Sequence, residues 1–129
     1  MMHDPLANAL SAIKNAENRG KSELQVTPSS KVIKAILDIL KKEKYIENYK
    51  YVENNRGGIL QIKLTGHINN VGAIKPRYPV RVEELEKFEN RYLPSRNFGR
   101  LILSTSKGIM NHIEAREKNL GGVLLAYVY

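Results

Sequence analysis

The sequence predicts an α+β protein built as two small lobes, and three observations carry that expectation. Apolar residues recur at helical spacing at Leu6, Ala9, Leu10, Ile13 and Ala16, and again at Val32, Ile33, Ile36, Leu37 and Leu40. The run Asn54-Asn55-Arg56-Gly57-Gly58 is a turn signal between two stretches that read as strands. The last residues, Val123 to Tyr129, are apolar on both faces and too hydrophobic for a free tail.

Each element follows from local chemistry. Asp4-Pro5 predicts a helix start, with Asp as cap and Pro at the first helical position, and Asn18-Arg19-Gly20 ends the pattern. Leu24 to Val26 is a short strand before Pro28, and Ser29-Ser30 opens the second helix. Tyr45 to Val52 and Ile59 to Leu64 form a hairpin, with Leu60, Ile62 and Leu64 alternating against Gln61 and Lys63. Gly66 to Asn70 is the crossing between lobes, giving an N-terminal α/β lobe at 1–66 and a β-rich lobe at 67–129. There, Val71 to Ile74 and Val80 to Val82 read as extended, Glu83 to Arg91 as a short charged helix closed by Pro94, and Phe98 to Ser104 as a strand. Ile109 to Lys118 reads as a helix stopped by Gly121-Gly122, before the terminal strand.

Lys and Arg number 21 against 13 Asp and Glu, a net charge of +8 that favours a polyanionic partner. Residues 1–66 hold 11 basic and 7 acidic side chains and residues 67–129 hold 10 and 6, so both lobes could face that partner. The chain has no cysteine, which excludes disulfides, zinc ribbons and thiol nucleophiles. His3, His67 and His112 lack metal-ligand spacing, so no metal or cofactor is expected. The first residues lack the charged and apolar regions of a signal peptide. No apolar run approaches the ~18 residues of a membrane span. A cytoplasmic protein is expected.

The candidate site with most chemistry is Ser104-Thr105-Ser106-Lys107-Gly108. Read as a strand-to-helix junction, it sets three hydroxyls and a cation beside free helical N–H groups, which suits phosphate and sugar oxygens. The alternative is that one hydroxyl only caps the helix. In the first lobe, Ser29, Ser30, Lys31 and Lys34 combine a helix start with a lysine row that either tracks phosphates or is a solvated face. Arg77 and Tyr78 stand between Pro76 and Pro79. The aromatic there either stacks on a base or covers a sheet edge. Arg91 to Arg100 spreads three arginines around Phe98 with the same ambiguity. Catalysis finds no support: His112 lies six positions after Ser106 across the expected helix start, and the lysine-glycine order is reversed from a phosphate-binding loop.

These motifs converge on one family. Asp4-Pro5-Leu6-Ala7, Ile13-Lys14-Asn15-Ala16, Pro28-Ser29-Ser30-Lys31 and Glu43-Lys44-Tyr45-Ile46 resemble the first lobe of small-subunit ribosomal protein S-eight. Leu103 to Met110, Glu114-Ala115-Arg116, Gly121-Gly122 and Ala126-Tyr127-Val128-Tyr129 resemble its second. The resemblance implies a protein, monomeric within the ribosome, that binds a helix in the central domain of small-subunit rRNA and touches neighbouring ribosomal proteins. It implies no small-molecule substrate. It assigns minor-groove contact to Ser104, Thr105, Ser106 and Lys107, and a first-lobe contact to Ser29, Ser30, Lys31 and Lys34. The bacterial members carry an acid after the glycine pair where this chain has Val123, and the segment from Glu83 to Arg96 resembles the archaeal branch. A free-standing RNA-binding regulator using the same surface is the second reading.

Overall fold

A computed structural model describes residues 4–27, 29–95 and 98–129. The expectations for His3, Pro28, Arg96 and Asn97 lie outside the described residues. Contacts divide the chain into two units, the first running to Asn69 and the second from Asn70 to Tyr129. That break falls three residues beyond the position read from the sequence, and Ile68, just before it, is buried.

The first unit runs α1 (Pro5–Asn18), β1 (Glu23–Val26), α2 (Lys31–Lys42), β2 (Ile46–Val52) and β3 (Ile59–Leu64). Asp4 caps α1 by accepting the Ala7 N–H at 3.1 Å, and Ser30 caps α2 by accepting the Ile33 N–H at 3.1 Å. The predicted stripes are the buried faces, Leu6, Ala9, Leu10, Ile13 and Ala16 on α1 and Ile33, Ile36, Leu37 and Leu40 on α2, except that Val32 is only half-buried at the margin of its stripe. Each fully buried large aliphatic chain among them contributes about 1.5–3 kcal/mol. The three strands form an antiparallel sheet in the order β1-β3-β2. Strand β2 starts one residue later than expected because the Tyr45 N–H bonds back to the Leu40 carbonyl at 2.8 Å and closes the helix.

The second unit is organised by its last strand. It contains β4 (Val71–Ala73), β5 (Pro79–Val80), α3 (Leu85–Tyr92), β6 (Arg100–Thr105), β7 (Gly108–Asn111), α4 (His112–Glu117) and β8 (Gly122–Val128). The sheet order is β4-β8-β6-β7, with β5 also pairing with β8. An apolar strand flanked on both edges explains why Leu124, Leu125, Ala126 and Val128 are buried.

Three sequence expectations are corrected here. The strand expected over Phe98 to Ser104 runs instead from Arg100 to Thr105. Val80 to Val82 is not one extended segment, because a 3-10 turn begins at Val82, where the Glu84 carboxylate accepts the Arg81 N–H at 2.9 Å. Ile109 to Lys118 is not one helix. Gly108–Asn111 pairs with β6 as β7, and only His112–Glu117 is helical. The closeness of Ile109, Met110 and Ile113 imitates helical spacing, but burial of Met110 and Asn111 on the sheet decides the outcome. The glycine pair also differs in role. The helix ends earlier, at Lys118 and at Asn119 with φ +56. Gly121 and Gly122 instead let strands approach: a Cβ at 122 would collide with the Ser104 carbonyl, and one at 121 would lie 2.5 Å from the Val80 carbonyl.

Candidate nucleic-acid interface

The Ser104–Gly108 segment is the tip of a β-hairpin. Ser104 pairs with Ile109 and Thr105 with Gly108, leaving Ser106 and Lys107 as a two-residue turn. On its other edge β6 pairs Ser104 with Val123 and Thr105 with Gly122, so the backbone at the base of the turn is held from both sides. The turn closes at Gly108, whose φ of +116 lies where a side chain would be strained.

This geometry removes the helix start from the loop. The cap of α4 is Asn111, whose carboxamide oxygen accepts the Glu114 N–H at 2.8 Å, and no hydroxyl from Ser104 to Ser106 serves it. The loop therefore presents side chains, without helical N–H groups behind them. Its hydroxyls divide by role. Thr105 Oγ1 donates to the Gly108 carbonyl at 2.8 Å and accepts the Lys107 N–H at 3.1 Å, so it is engaged in holding the turn. Among the described residues, the hydroxyls of Ser104 and Ser106 make no hydrogen bond. Ser106 and Lys107 are exposed and Ser104 is half-buried.

Arg77 and Tyr78 approach this sheet from the β5 side. Strands β5 and β6 flank the same β8 residues, because Pro79 and Ser104 both face Val123 while Val80 and Thr105 both face Gly122. Arg77 is exposed, but it lies on the side of Pro79 away from the turn. Tyr78 packs on Phe88 at 5.8 Å between ring centroids and is half-buried against the core, while its carbonyl accepts the Leu124 N–H at 3.1 Å. Exposed Arg81 instead continues β5 towards the level of Ser106. The signal was in the Lys75–Arg81 segment, but only strand register shows which cation lies at the turn's end of the sheet, across β8 from it.

The first-unit residues gather where the β2–β3 loop meets the start of α2. Ser29 donates its N–H and its hydroxyl to the Gly57 carbonyl, at 3.1 and 2.7 Å. Ser30 is the cap already described. The loop is internally fixed, with Glu53 accepting the Asn54 and Asn55 N–H groups and Asn54 accepting those of Arg56 and Gly58. Lys31 and Arg56 are exposed beside these groups in the chain. Lys34 places its ammonium 4.0 Å from the centre of the Tyr51 ring, whose hydroxyl donates to Glu53 at 2.8 Å. That hydroxyl holds the Glu53 carboxyl below the usual carboxylate range and is itself raised in return. One turn further along the helix, Asp38 accepts the Tyr49 hydroxyl at 2.6 Å, and burial with this bond pushes Tyr49 up to about 12.

Sequence reasoning missed one buried polar cluster. His112 is 2% exposed, accepts the Leu101 N–H at Nδ1 (2.9 Å) and faces Glu89 through Nε2 (2.9 Å). Arg116 pairs with the same Glu89 oxygen. The ring is therefore neutral with its proton on Nε2. Burial is the main cause that lowers its pKa, helped by Arg116 and Arg100 and opposed by Glu89. The cluster joins α3 and α4 to β6, the strand that carries the hairpin. Residues 89, 101 and 112 are too far apart in the chain for spacing to reveal it. Among the described residues no group of three potential metal ligands is present, and no helix is long and apolar enough to cross a membrane.

Two α+β units, a positive charge shared by both, and an exposed serine-lysine hairpin define a small basic protein suited to a polyanionic partner. The comparisons with known proteins agree. The family described as Ribosomal protein S8 matches residues 4–129. The protein named Small ribosomal subunit protein uS8 from Caldivirga maquilingensis is 50% identical over 129 residues, covering 100% of this chain and 99% of that protein. The chain belongs to the ribosomal protein S8 family.

Proposed function

We propose that this chain is a structural component of the small ribosomal subunit that binds directly to a helix in the central domain of its RNA and supports assembly of that domain. One observation carries the site: at the tip of a turn fixed by Thr105, Ser104 and Ser106 have hydroxyls unengaged by the described residues, and Lys107 is exposed beside them. An A-form helix offers a wide, shallow minor groove lined with 2′-hydroxyls, which short hydroxyl side chains reach. The lysine holds a flanking phosphate, as does Arg81, and Lys31 makes a separate phosphate contact from the first unit. Each such contact releases counterions and makes affinity fall with salt. Ser29 and Ser30 set the shape of the first-unit contact, and Lys34 shares its charge with Tyr51 and Glu53. The protein acts as one copy in the cytoplasmic ribosome, beside other small-subunit proteins, and no reaction is needed.

Footprinting on naked small-subunit RNA tests this. Protection confined to one helix of the central domain, together with co-sedimentation of the protein with small subunits, is expected. Equal affinity for random duplex RNA at moderate salt would leave only nonspecific electrostatic attraction and sink the specific-site reading.

A further inference from the structure

Four aromatic rings form a continuous row in the second unit. Tyr92 stacks on Tyr127 at 5.6 Å, Tyr127 on Tyr129 at 6.4 Å, and Tyr129 meets Phe98 at 6.3 Å between centroids. The three tyrosines are part-buried against the apolar core, whereas Phe98 is 47% exposed. Its position is set by backbone: the Phe98 N–H donates to the Ser95 carbonyl at 3.2 Å. Gly99 follows at φ +93, where a Cβ would lie 2.6 Å from the Val128 carbonyl and 2.7 Å from Tyr129 Cβ. The chain is thus pressed onto the end of β8 with the phenyl ring held outward.

We propose that Phe98 is a stacking platform for one unpaired nucleobase of the bound RNA, an inference that rests on the RNA-binding reading above. The size of the patch selects this occupant. A stable protein interface buries about 800 Å² per partner around a desolvated apolar centre. Among the described residues the other large exposed hydrophobic side chain is Tyr51, which belongs to the first unit. A single ring backed by another ring instead matches one planar group, and every base has such a face. Charge agrees with the choice. The ring lies in a half of the chain with a surplus of basic groups, which suits a polyanionic partner. The Tyr129 ring backs Phe98 on one side and leaves its other side to solvent, so less ordering is required when a base arrives.

The chain contains no tryptophan, so Phe98→Trp creates a unique fluorescent reporter in the full-length protein. With full-length small-subunit RNA as the probe, this variant should bind about as tightly as the parent, and its indole emission should be quenched on binding. Phe98→Ala should bind about fivefold to a hundredfold more weakly, the range for loss of one base–aromatic stack. Its melting temperature should fall modestly, since the ring is half-buried and paired with Tyr129, so binding is read well below that temperature. Ser104→Ala with Ser106→Ala separates the two claims. If that pair weakens binding while Phe98→Ala binds normally and the emission of the Phe98→Trp variant ignores RNA, the platform is wrong and the hairpin reading stands. If emission changes only on addition of other ribosomal proteins, the ring belongs to a protein contact and the proposal is overturned. Absence of specific RNA binding by the parent would remove the underlying reading itself.

Discussion

Replacing the three hairpin hydroxyls one at a time should separate what builds the turn from what touches RNA. Thr105→Val keeps the shape of the side chain and removes both of its bonds, to the Gly108 carbonyl and from the Lys107 N–H. At a net ~0.5–1.5 kcal/mol for each hydrogen bond, and nearer the low end because both are exposed, the loss is about 1–2 kcal/mol of stability. A domain stable by about 5–15 kcal/mol remains folded. Affinity falls too, because ordering Ser106 and Lys107 on the RNA now carries an entropic cost of up to about 1–2 kcal/mol for each residue. Thr105→Ser, which retains the hydroxyl, should restore most of both quantities. Ser104→Ala and Ser106→Ala should behave differently, since neither hydroxyl bonds to the described residues. Their stability should change by less than about 0.5 kcal/mol. Their affinity should fall about twofold to twelvefold each, the equivalent of one groove hydrogen bond. Urea unfolding and fluorescence-anisotropy titration with the RNA site, on the same preparations, read the two effects. Serine variants that bind normally, or that unfold early, would refute the division of labour.

Three further outcomes follow from other contacts. Asn111→Ala removes the cap of α4 and should cost about 0.5–2 kcal/mol in urea unfolding, whereas Ser106→Ala should leave that helix untouched. His112 has a lowered folded pKa, so the unfolded chain binds the proton more readily; its contribution is full above about 6.5 and is lost as pH falls through the lower folded value. Unfolding midpoints measured downward from neutral pH should show that loss in the parent and not in a folded His112→Gln variant. Tyr49 has the opposite sense: burial first, then its bond to Asp38, raises the folded pKa, so its contribution is full below 10 and lost as pH rises towards about 12, a dependence that Tyr49→Phe should abolish in alkaline unfolding.

The periodic part of the fold was legible without coordinates. Stripes on α1 and α2, the caps Asp4 and Ser30, and the Asn54–Gly58 turn are local signals, in which neighbours in sequence are neighbours in space. The terminal apolar strand was legible too, since Val123–Tyr129 has no polar face to offer solvent. Charge and the family motifs pointed to RNA as the partner. The local geometry of the Ser104–Gly108 loop was not legible. Ile109 and Met110 satisfy helical spacing and strand pairing equally well, and only the open edge of β6 made pairing the outcome. That choice moved the helix cap from a loop hydroxyl to Asn111 and left Thr105 to tie the turn. Register brought Arg81 to the turn's end of the sheet, and burial joined His112 to Glu89 across the chain. Sequence determined which residue types were available and which short segments would be regular. Tertiary structure decided which hydroxyls and cations remained unengaged for a ligand, because that depends on long-range pairing, where strand edges and buried polar groups must find partners far along the chain.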